Sequence, residues 1–565
     1  MATRAVQVVT EVAALNRPFD YAVTEQTAKV GLGDRVRVNF NHRSVRGWVV
    51  AEGSFERDLK PVAKWLGFGP PPALVALTQW AAWRWYGSWS RLLATASPAR
   101  IVTALAPPPE KVAATIFESD VVRILRPGVI SLAPTVDPLS LVLGCYEVTR
   151  ERAGTFVVLV PHDAWAKRLA DRLARRGLAV ADGDDWARAR AQWPLVVATR
   201  GGAFSPVPRL AGVLILDADD EGFFSTAAPT WNALEVVRER CRLEDAPLWC
   251  TSALPSPALS GDEPVCDEGG APYWPQVSIV NRRHGDPHDG ALTREGLEAA
   301  RQALDGDDDV AVVIILQRLG AGRLLACVRC GELATCAVCG QGEREVEGRL
   351  SCEEGHESRE RFCRACGATK FRAVRSGITT LARDVALQLG RPVSELSAKS
   401  VPDTLERVVV GTEAVLTRVR RSALVIFADV DQYLLAPRAS ARRQAVLAVA
   451  RAGRLVGSRR EGRGVVLLQT RRSNDLVLDC VERGDVEALR LDELDVARAL
   501  ALAPFSARAR VSGDAARTFV ELLDDSVRVR ELDEGFALSA PDATILANAL
   551  AAVPRPTGSL RVAVE

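Results

Sequence analysis

Short hydrophobic runs separated by polar stretches divide this chain into segments of two kinds. The first hundred residues contain brief strand patterns at Val6–Val12 and Val36–Phe40 and a hairpin closing at Gly47–Val50, which together predict a β-rich module. A helical run follows, and its aromatic residues have the spacing of a buried core. These aromatic residues are Trp80, Trp83, Trp85, Tyr86 and Trp89. Pro107–Pro109 then marks a boundary.

Further along the chain, continuous apolar runs predict buried parallel strands. They alternate with helical segments between residues 125 and 260, and the same rhythm returns from residue 310. The runs are Phe156–Val160, Leu195–Ala198, Val213–Leu216, Val310–Leu316, Val408–Val410, Leu424–Phe427 and Val465–Leu468. The stretch 261–290, rich in Gly, Pro and Asp, is predicted to be a linker.

A chain of 565 residues is too long for one core, so we expect several domains and a multidomain α/β fold. Four ranges follow from the changes in pattern. They are a β-rich module at 1–107, a first α/β lobe at 108–275, a second α/β lobe at 276–475 with a cysteine-rich insertion at 324–372, and a small α+β domain at 476–565.

Charge and composition restrict the function more than the fold. The formal net charge is +1, so the whole molecule is not a polycation, although it has 65 Arg and only 7 Lys. Many of these arginines lie between residues 418 and 463, where they either line a nucleic-acid backbone or form a solvated helix face. No apolar stretch has the length of a membrane span and no signal peptide is seen, so we expect a cytoplasmic protein with no membrane partner.

Seven cysteines and one histidine between residues 327 and 366 have the spacing of metal ligands. Four pairs of ligands fill two tetrahedral sites with no open position, which predicts two structural Zn²⁺ ions per chain. A disulfide cluster is the rival interpretation, and it is disfavoured in a chain expected to be cytosolic. The residues are Cys327, Cys330, Cys336, Cys339, Cys352, His356, Cys363 and Cys366.

The order of these features, together with several short motifs, resembles the primosomal protein N′ (PriA) family of replication-restart helicases over nearly the whole chain. The motifs are Phe19-Asp20-Tyr21, Ala198-Thr199-Arg200, Arg318-x-Gly320, Gly377-Ile378-Thr379-Thr380, Gly411-Thr412, Asp429-Val430-Asp431 and Pro504-Phe505-Ser506. The resemblance implies a β-rich module that binds DNA 3′ ends, two RecA-like helicase lobes with a two-zinc insertion in the second, and a C-terminal α+β domain.

The resemblance also implies how the zinc ligands are shared. One ion takes Cys327, Cys330, Cys363 and Cys366, and the other takes Cys336, Cys339, Cys352 and a fourth ligand. The family has a cysteine where this chain has Gly355, so His356 is the expected replacement. The alternative is that His356 is a surface residue and that water completes the second site.

The motifs that would hydrolyse ATP are degenerate in this chain. The family's phosphate-binding loop aligns with Leu141–Glu147, where only Gly144 matches, and no Gly-Lys dipeptide occurs anywhere. The family's Asp-Glu-Glu-His is replaced by Asp217-Ala218-Asp219-Asp220, so Ala218 stands where the catalytic base would be. We therefore expect a helicase fold that is not an enzyme, with ATP a doubtful cofactor.

In this family the N-terminal module captures the 3′ end of the nascent strand at a stalled fork. The residues credited with that role map onto Phe19, Asp20, Tyr21 and Lys60, which supply a stacking ring, a hydrogen-bond acceptor for the 3′-OH and a cation for a phosphate. Without the family, the preferred interpretation of Phe-Asp-Tyr is a strand-edge packing motif.

These observations predict a replication-restart, primosome-assembly protein that recognises stalled or forked DNA. Its expected partners are DNA with a nascent 3′ end and other primosome and replication-restart proteins. One rival is an ATP-dependent 3′–5′ DNA helicase of the PriA type that uses divergent motifs. The other rival is a zinc-ribbon interaction protein that does not bind DNA.

Overall fold

The computed structural model describes residues 2–12, 17–53, 59–105, 107, 126–283, 290–306, 310–316, 325–352, 356–373, 378–396, 404–436 and 438–565. The chain divides into two compact units, each described here by itself. The first comprises Met1–Ile130, Asp137–Val265 and Leu494–Glu565, and the second comprises Ser131–Val136 and Cys266–Glu493. The four predicted domain ranges stay predictions.

The head of the first unit is an antiparallel five-stranded sheet with the order β2-β1-β4-β3-β5. Its strands are β1 (Ala2–Thr10), β2 (Phe19–Thr24), β3 (Arg35–Phe40), β4 (Arg43–Gly53) and β5 (Val62–Gly67), and the helices that follow are α1 (Pro72–Arg84) and α2 (Trp89–Thr95). Alternate valines of β1 and β3 fill one face of the sheet, as a half-buried strand requires. Trp85 and Trp89 are 1% and 7% exposed, which confirms that these two tryptophans belong to a core.

A mostly parallel sheet with the order β12-β6-β11-β10-β7-β9-β8 follows. Its strands are β6 (Gly128–Leu132), β7 (Thr155–Leu159), β8 (Val180–Asp182), β9 (Leu195–Ala198), β10 (Leu210–Ile215), β11 (Leu248–Ser252) and β12 (Val265–Glu268). Its helices are α3 (Pro138–Thr149), α4 (Asp163–Arg175), α5 (Trp186–Arg190), α6 (Ala233–Glu244) and α7 (Pro257–Ser260). Strands β7, β9 and β10 pair in parallel and are the predicted apolar runs.

The second unit contains a six-stranded parallel sheet with the order β13-β23-β22-β14-β21-β20. Its strands are β13 (Gln276–Asn281), β14 (Ala311–Ile315), β20 (Val393–Leu396), β21 (Val408–Gly411), β22 (Ser422–Phe427) and β23 (Val465–Thr470). Its helices are α8 (Arg294–Leu304), α9 (Ile378–Leu389), α10 (Val415–Arg418), α11 (Asp431–Leu434), α12 (Ala441–Val456) and α13 (Leu476–Arg483).

The cysteine-rich segment leaves this second sheet after β14 and returns at α9. It forms one two-stranded sheet and one three-stranded sheet, both antiparallel. The strands are β15 (Leu325–Cys327), β16 (Arg344–Val346), β17 (Arg349–Ser351), β18 (Arg359–Glu360) and β19 (Phe371–Ala373). The segment is therefore an insertion in the second parallel sheet, as the sequence predicts.

The C-terminal part is a small four-stranded antiparallel sheet with two helices, in the order β25-β26-β24-β27. Its elements, after the connecting helix α14 (Glu487–Ala499), are β24 (Ala507–Ser512), α15 (Ala516–Val520), β25 (Arg528–Glu531), β26 (Phe536–Ala540), α16 (Ala543–Ala552) and β27 (Arg561–Val564). The predicted multidomain α/β class is thus confirmed.

One prediction about the fold is wrong. The stretch 261–290 is not simply a linker, because it contains β12 and β13 and β13 is the edge strand of the second sheet. An edge strand is only half covered, so Gln276, Ser278 and Asn281 interrupt its apolar residues and hide the strand pattern.

Within the described residues, no helix combines the length and apolar character needed to cross a membrane.

Candidate functional sites

Strand β2 carries three of the predicted DNA-end residues, but on two faces of the head sheet. Successive strand residues point to opposite sides, so Phe19 and Tyr21 share one face and Asp20 lies on the other. Tyr21 is 3% exposed within the head core, and its hydroxyl donates to the Asn39 carbonyl at 3.4 Å. Phe19 is half-buried and packs on Phe40 with 4.8 Å between ring centroids. Tyr21 therefore supports the strand from inside the core.

Asp20 has an unused hydrogen-bond acceptor. Its Oδ1 is buried and has no hydrogen-bond partner among the described residues. A Cβ on the neighbouring Gly53 would come 2.9 Å from this oxygen, so a side chain there would crowd the carboxylate. An orphaned acceptor of this kind costs free energy unless a donor reaches it, so it is suited to a ligand hydroxyl.

Lys60 comes to the same strand from a distant part of the sequence. Its carbonyl accepts a 2.9 Å hydrogen bond from the Ala22 amide, and Pro61 forms a bridge with Ala22. The Lys60 side chain is exposed. The fold thus brings the backbone of Lys60 beside β2 and leaves its ammonium group free to meet an anion.

The eight predicted metal ligands form two groups of four. In each group the ligand atoms all lie within 4.8 Å of one another. We call Cys327, Cys330, Cys363 and Cys366 the inner metal group, and Cys336, Cys339, Cys352 and His356 the outer metal group. This is the division that the family resemblance implies, with His356 in the outer group. Gly355 lies outside the described residues.

The geometry of both groups fits a tetrahedral ion. The Sγ atoms of Cys327 and Cys366 lie 3.6 Å apart and those of Cys339 and Cys352 lie 3.4 Å apart, whereas a disulfide needs about 2.0 Å. His356 Nδ1 lies 3.6 Å from Cys336 Sγ. Four sulfurs at about 2.3 Å from a central Zn²⁺ are separated by comparable distances. These residues could hold one metal ion in each group.

Local backbone and charge support the same conclusion. Gly331, Gly340 and Gly367 follow the knuckles with φ between 71° and 72°, where a side chain would be strained, and their amides close each turn. Burial and the adjacent thiols of Cys366 and Cys363 raise the pKa of Cys330. A bound cation would replace the thiol protons and stabilise the thiolates that burial alone disfavours.

The expected position of a phosphate-binding loop is wrong. Residues Leu141–Glu147 lie inside helix α3, where Gly144 is a buried helical residue. The turn from β6 into α3 is formed instead by residues 133–137, which include neither Gly nor Lys. The resemblance placed the loop too late because this turn is short and contains none of the residues that would mark it.

Asp137 occupies the N-terminus of α3. Its carboxylate accepts the Leu139 amide at 3.0 Å and pairs with both terminal nitrogens of Arg172 at 2.9 and 2.5 Å. Although partial burial opposes the shift, Arg172 and the Leu139 amide lower the pKa of Asp137. A helix N-terminus is an anion site, and here the protein's own carboxylate fills it. Pro138 also removes one of the amides that could face a phosphate.

The acidic segment after β10 is likewise committed to internal bonds. Asp219 accepts the Ser256 amide at 3.0 Å, and Asp220 accepts the Gly222 amide at 2.7 Å. Ala218 is buried. These carboxylates cap turns, and the buried methyl group of Ala218 cannot activate a water molecule.

Four arginines of the arginine-rich stretch in the second unit have partners within the protein. Arg442 pairs with Asp492 at 2.6 Å, Arg443 with Glu493 at 2.9 Å, and Arg451 with Glu413 at 2.7 Å. Arg459 donates to the Pro275 and Arg483 carbonyls. These four arginines hold helices and loops together, so they form neither a free phosphate-binding stripe nor a simple solvated face. Arg418, Arg420 and Arg421 remain exposed.

A buried charged cluster at the ends of β22 and β23 was not found from the sequence. Asp431 is fully buried and accepts the Thr470 hydroxyl and the Arg471 amide, the latter at 2.7 Å. Asp429 lies 3.9 Å from the Arg471 guanidinium, and both side chains are 4% exposed. Burial, followed by the charge of Asp429, raises the pKa of Asp431 to about 7. Only the Asp-Val-Asp motif signalled this cluster, since its other members are forty residues away.

Comparison with known proteins agrees with the prediction for the head. Residues 7–98 match a family model described as the 3′DNA-binding domain of PriA. The replication restart protein PriA of Treponema pallidum (strain Nichols) is 26% identical over 352 residues, covering 55% of this chain and 50% of that protein. The chain is thus similar to PriA over about half of its length.

A second PriA, from Thermotoga maritima, is 23% identical over 337 residues, covering 55% of this chain and 45% of that protein. The chain thus spans about half the length of the curated PriA relatives it matches.

Solved structures give a weaker likeness. The DUF1998 helicase MrfA bound to DNA and AMPPNP has a TM-score of 0.35 and 13% identity, covering 66% of this chain and 49% of that one. A Dbp5 variant from S. cerevisiae bound to RNA and ADP BeF3 also has a TM-score of 0.35, with 10% identity and coverage of 66% and 91%. Function therefore has to rest on the chain's own residues.

Proposed function

We propose that this chain is a replication-restart protein that recognises forked DNA, holds the 3′ end of the nascent strand in its head and recruits other primosome proteins without unwinding DNA. The observation that carries the proposal is the α3 N-terminus, where Asp137 and Arg172 occupy the position that a helicase lobe would offer to a triphosphate. A phosphate group brought to that position would meet a carboxylate instead of a nest of amides.

The head supports the DNA-binding half of the proposal. The matched residues 7–98 include both the unsatisfied Asp20 carboxylate and the exposed Lys60. In the proposed complex Asp20 accepts a hydrogen bond from the free 3′-OH, and Lys60 meets a backbone phosphate. Phe19 offers a half-exposed ring, while Tyr21 holds the strand in place from the core.

The metal part of the proposal is that each group binds one structural Zn²⁺. Purified protein should then contain about two zinc ions per chain, as expected for two closed tetrahedral sites. The His356→Ala variant should retain about one, because three thiolates alone leave the outer site incomplete. Zinc analysis of both proteins checks this, and two full equivalents in the variant would mean that His356 is not a ligand.

Fork binding tests the DNA part directly. Binding to a labelled fork with a 3′-OH should be tight at low salt and weaken steeply as salt rises, because phosphate contacts release counterions. A fork whose nascent strand ends in a 3′-phosphate should bind more weakly than the hydroxyl-ended fork. Absence of any salt-sensitive fork binding would favour a zinc-ribbon interaction protein instead.

A further inference from the structure

The inner metal group packs directly on the second unit's parallel sheet domain. Ala326 and Leu333, which flank its first knuckle, form a buried cluster with Leu435, and none of the three is more than 7% exposed. Leu435 immediately follows helix α11. The apolar contact therefore joins the first knuckle to an element at the carboxyl end of β22.

A polar contact repeats this connection on a second strand. Glu332, in the same knuckle, pairs with Arg283, which follows the edge strand β13. The knuckle turn at Gly331 lies so close to this residue that a Cβ would come 3.2 Å from the Arg283 carbonyl oxygen. The inner metal group is thus held against two different strand ends.

Both contact points lead into the buried charged cluster. The Leu435 amide donates to the Asp431 carbonyl at 2.9 Å, and the Asp431 side chain accepts from Thr470 and Arg471 at the end of β23. The cluster is fully buried at Asp431, so a displacement of α11 would expose or unpair charged groups. Such a cluster is sensitive to loss of its supports.

The neighbour of Arg283 ties the edge strand to the same place. Arg282 donates to the carbonyls of Ala428 and Ala291 at 3.2 and 3.1 Å. Ala428 directly follows β22. Movement of the chain at Arg283 would therefore be transmitted through one residue to the hydrogen bonds that close the ends of β13 and β22.

The outer metal group has supports of another kind. Glu343 and Arg359, 3% and 14% exposed, form an ion pair inside the insertion. Leu350 packs in a small cluster with Leu325 and Ala334, which are also in the insertion. Cys339 is exposed. The contacts around the outer group therefore hold it to the inner part of the insertion.

We propose that the inner metal group is a structural part of the second parallel sheet, whereas the outer metal group is an appendage whose loss leaves that sheet intact. This inference rests on the proposed metal binding. With the inner ligands unrestrained, the Gly331 turn, Glu332 and Leu333 lose their fixed positions, and α11 and the end of β13 lose a covering surface. Emptying the outer group frees only residues of the insertion.

Two matched variants of the full chain test this, each removing the second cysteine of a knuckle. Cys330→Ser and Cys339→Ser are each compared with wild type by zinc content and by hydrogen exchange measured peptide by peptide. Both should lose about one zinc. Cys330→Ser should speed exchange in segments 427–436 and 465–472 by about tenfold, while Cys339→Ser should leave them within about twofold, as expected for local opening.

Two further measurements separate this effect from global unfolding. Exchange in β7 of the first unit should stay unchanged in Cys330→Ser. Glu332→Gln keeps all eight ligands, so it should retain both zinc ions and still give a smaller increase in the same second-unit segments.

Equal loosening by Cys339→Ser, or no loosening by Cys330→Ser after its zinc is lost, would overturn the inference. Global exchange in Cys330→Ser together with an unaffected Glu332→Gln would overturn it too. A wild-type protein without metal would overturn the proposed metal binding and this inference with it, and zinc analysis alone reveals that result.

Discussion

The head contains a carboxylate where the PriA resemblance expects a ligand contact, and the first parallel sheet contains carboxylates at the α3 N-terminus and after β10, but the two regions use them differently. In the head, Asp20 has a buried oxygen with no partner among the described residues. In the first parallel sheet, Asp137, Asp219 and Asp220 all accept hydrogen bonds from the protein's own amides. The head retains a carboxylate oxygen without a hydrogen-bond partner among the described residues. In the first parallel sheet, these three carboxylates already accept hydrogen bonds at the ends of helices and turns.

This difference separates a carboxylate that is open to a ligand from carboxylates that stabilise the fold. A buried polar group left unsatisfied costs stability, so a ligand donor that reaches it gains a favourable hydrogen bond. A carboxylate that caps a helix already contributes to folding and opposes an incoming phosphate. The head therefore offers an acceptor to a ligand, while the carboxylates of the first parallel sheet that are described here bind the protein's own amides.

The largest expected effect is at Asp20. Asp20→Ala should weaken binding to a fork with a 3′-OH by about ten- to a hundredfold, since hydrogen bonds to charged groups contribute about 1.5–3 kcal/mol. Binding to the same fork with a 3′-phosphate should change little, because that end offers no hydroxyl to the carboxylate. Binding to both forks is measured by fluorescence anisotropy. An equal loss of affinity for both would mean that Asp20, like Asp219, stabilises the fold and does not contact the 3′-OH.

In the buried cluster of the second unit, the Asp431 carboxyl group has hydrogen-bond partners but is costly to ionise. Asp431 has a pKa raised from 3.8 to about 7 by burial and then by Asp429. Its folded form holds a proton more tightly than the unfolded form, so it contributes stability at low pH that is lost as pH rises from about 4 through 7.

Asp431→Asn should remove this dependence, and the variant should gain thermal stability relative to wild type between pH 5 and pH 8. Asparagine can still accept from the Arg471 amide and donate to Thr470. Thermal unfolding of both proteins at the two pH values checks this. A stability difference that does not change with pH would mean that Asp431 is ionised throughout the range.

Asp137 offers a smaller effect that bears directly on the proposed absence of ATP hydrolysis. Asp137→Ala should lower the stability of the first unit by about 1 kcal/mol through loss of the α3 cap. It should not create ATP affinity, because the turn still has no glycine-rich nest and no lysine. The urea unfolding midpoint and binding of a fluorescent ATP analogue measure the two effects. ATP binding by the variant would mean that Asp137 blocks an otherwise intact nucleotide-binding site.

The smallest effect is expected at Lys60. Lys60→Ala should weaken fork binding several-fold and reduce the slope of log affinity against log salt by about 1, the value for one lost phosphate contact. Lys64→Ala, another exposed lysine of the head, is the matched control. The same reduction in both variants would indicate a diffuse basic surface rather than a contact at the strand end.

Seven strands of the two parallel sheets, β7, β9, β10, β14, β21, β22 and β23, were predictable because buried parallel strands are apolar on both faces. The edge strand β13 was missed, since one side of it is open and its polar residues resemble a linker. The same limit applies to the site. Spacing alone brought the metal ligands together, whereas the burial of Tyr21 depends on which face of β2 meets the head core.

Long-range partners were the least predictable feature. Arg442 and Asp492 are fifty residues apart, and nothing local in either segment indicates that they pair. The short turn before α3 was hidden for a different reason. It lacks the glycine and lysine that would mark a phosphate-binding loop. The sequence match therefore fell on Gly144, which lies inside the next helix. The structure shows instead that the Asp137 side chain caps helix α3 at the end of this turn.

The measurement that tests the account most directly is ATP turnover by the zinc-loaded protein, with and without a fork carrying a 3′-OH, alongside binding to that fork. The account predicts tight, salt-sensitive fork binding and no turnover above that of a buffer control. DNA-stimulated ATP hydrolysis that follows the protein through purification would contradict it, and would mean that a divergent helicase motor operates despite the capped α3 terminus.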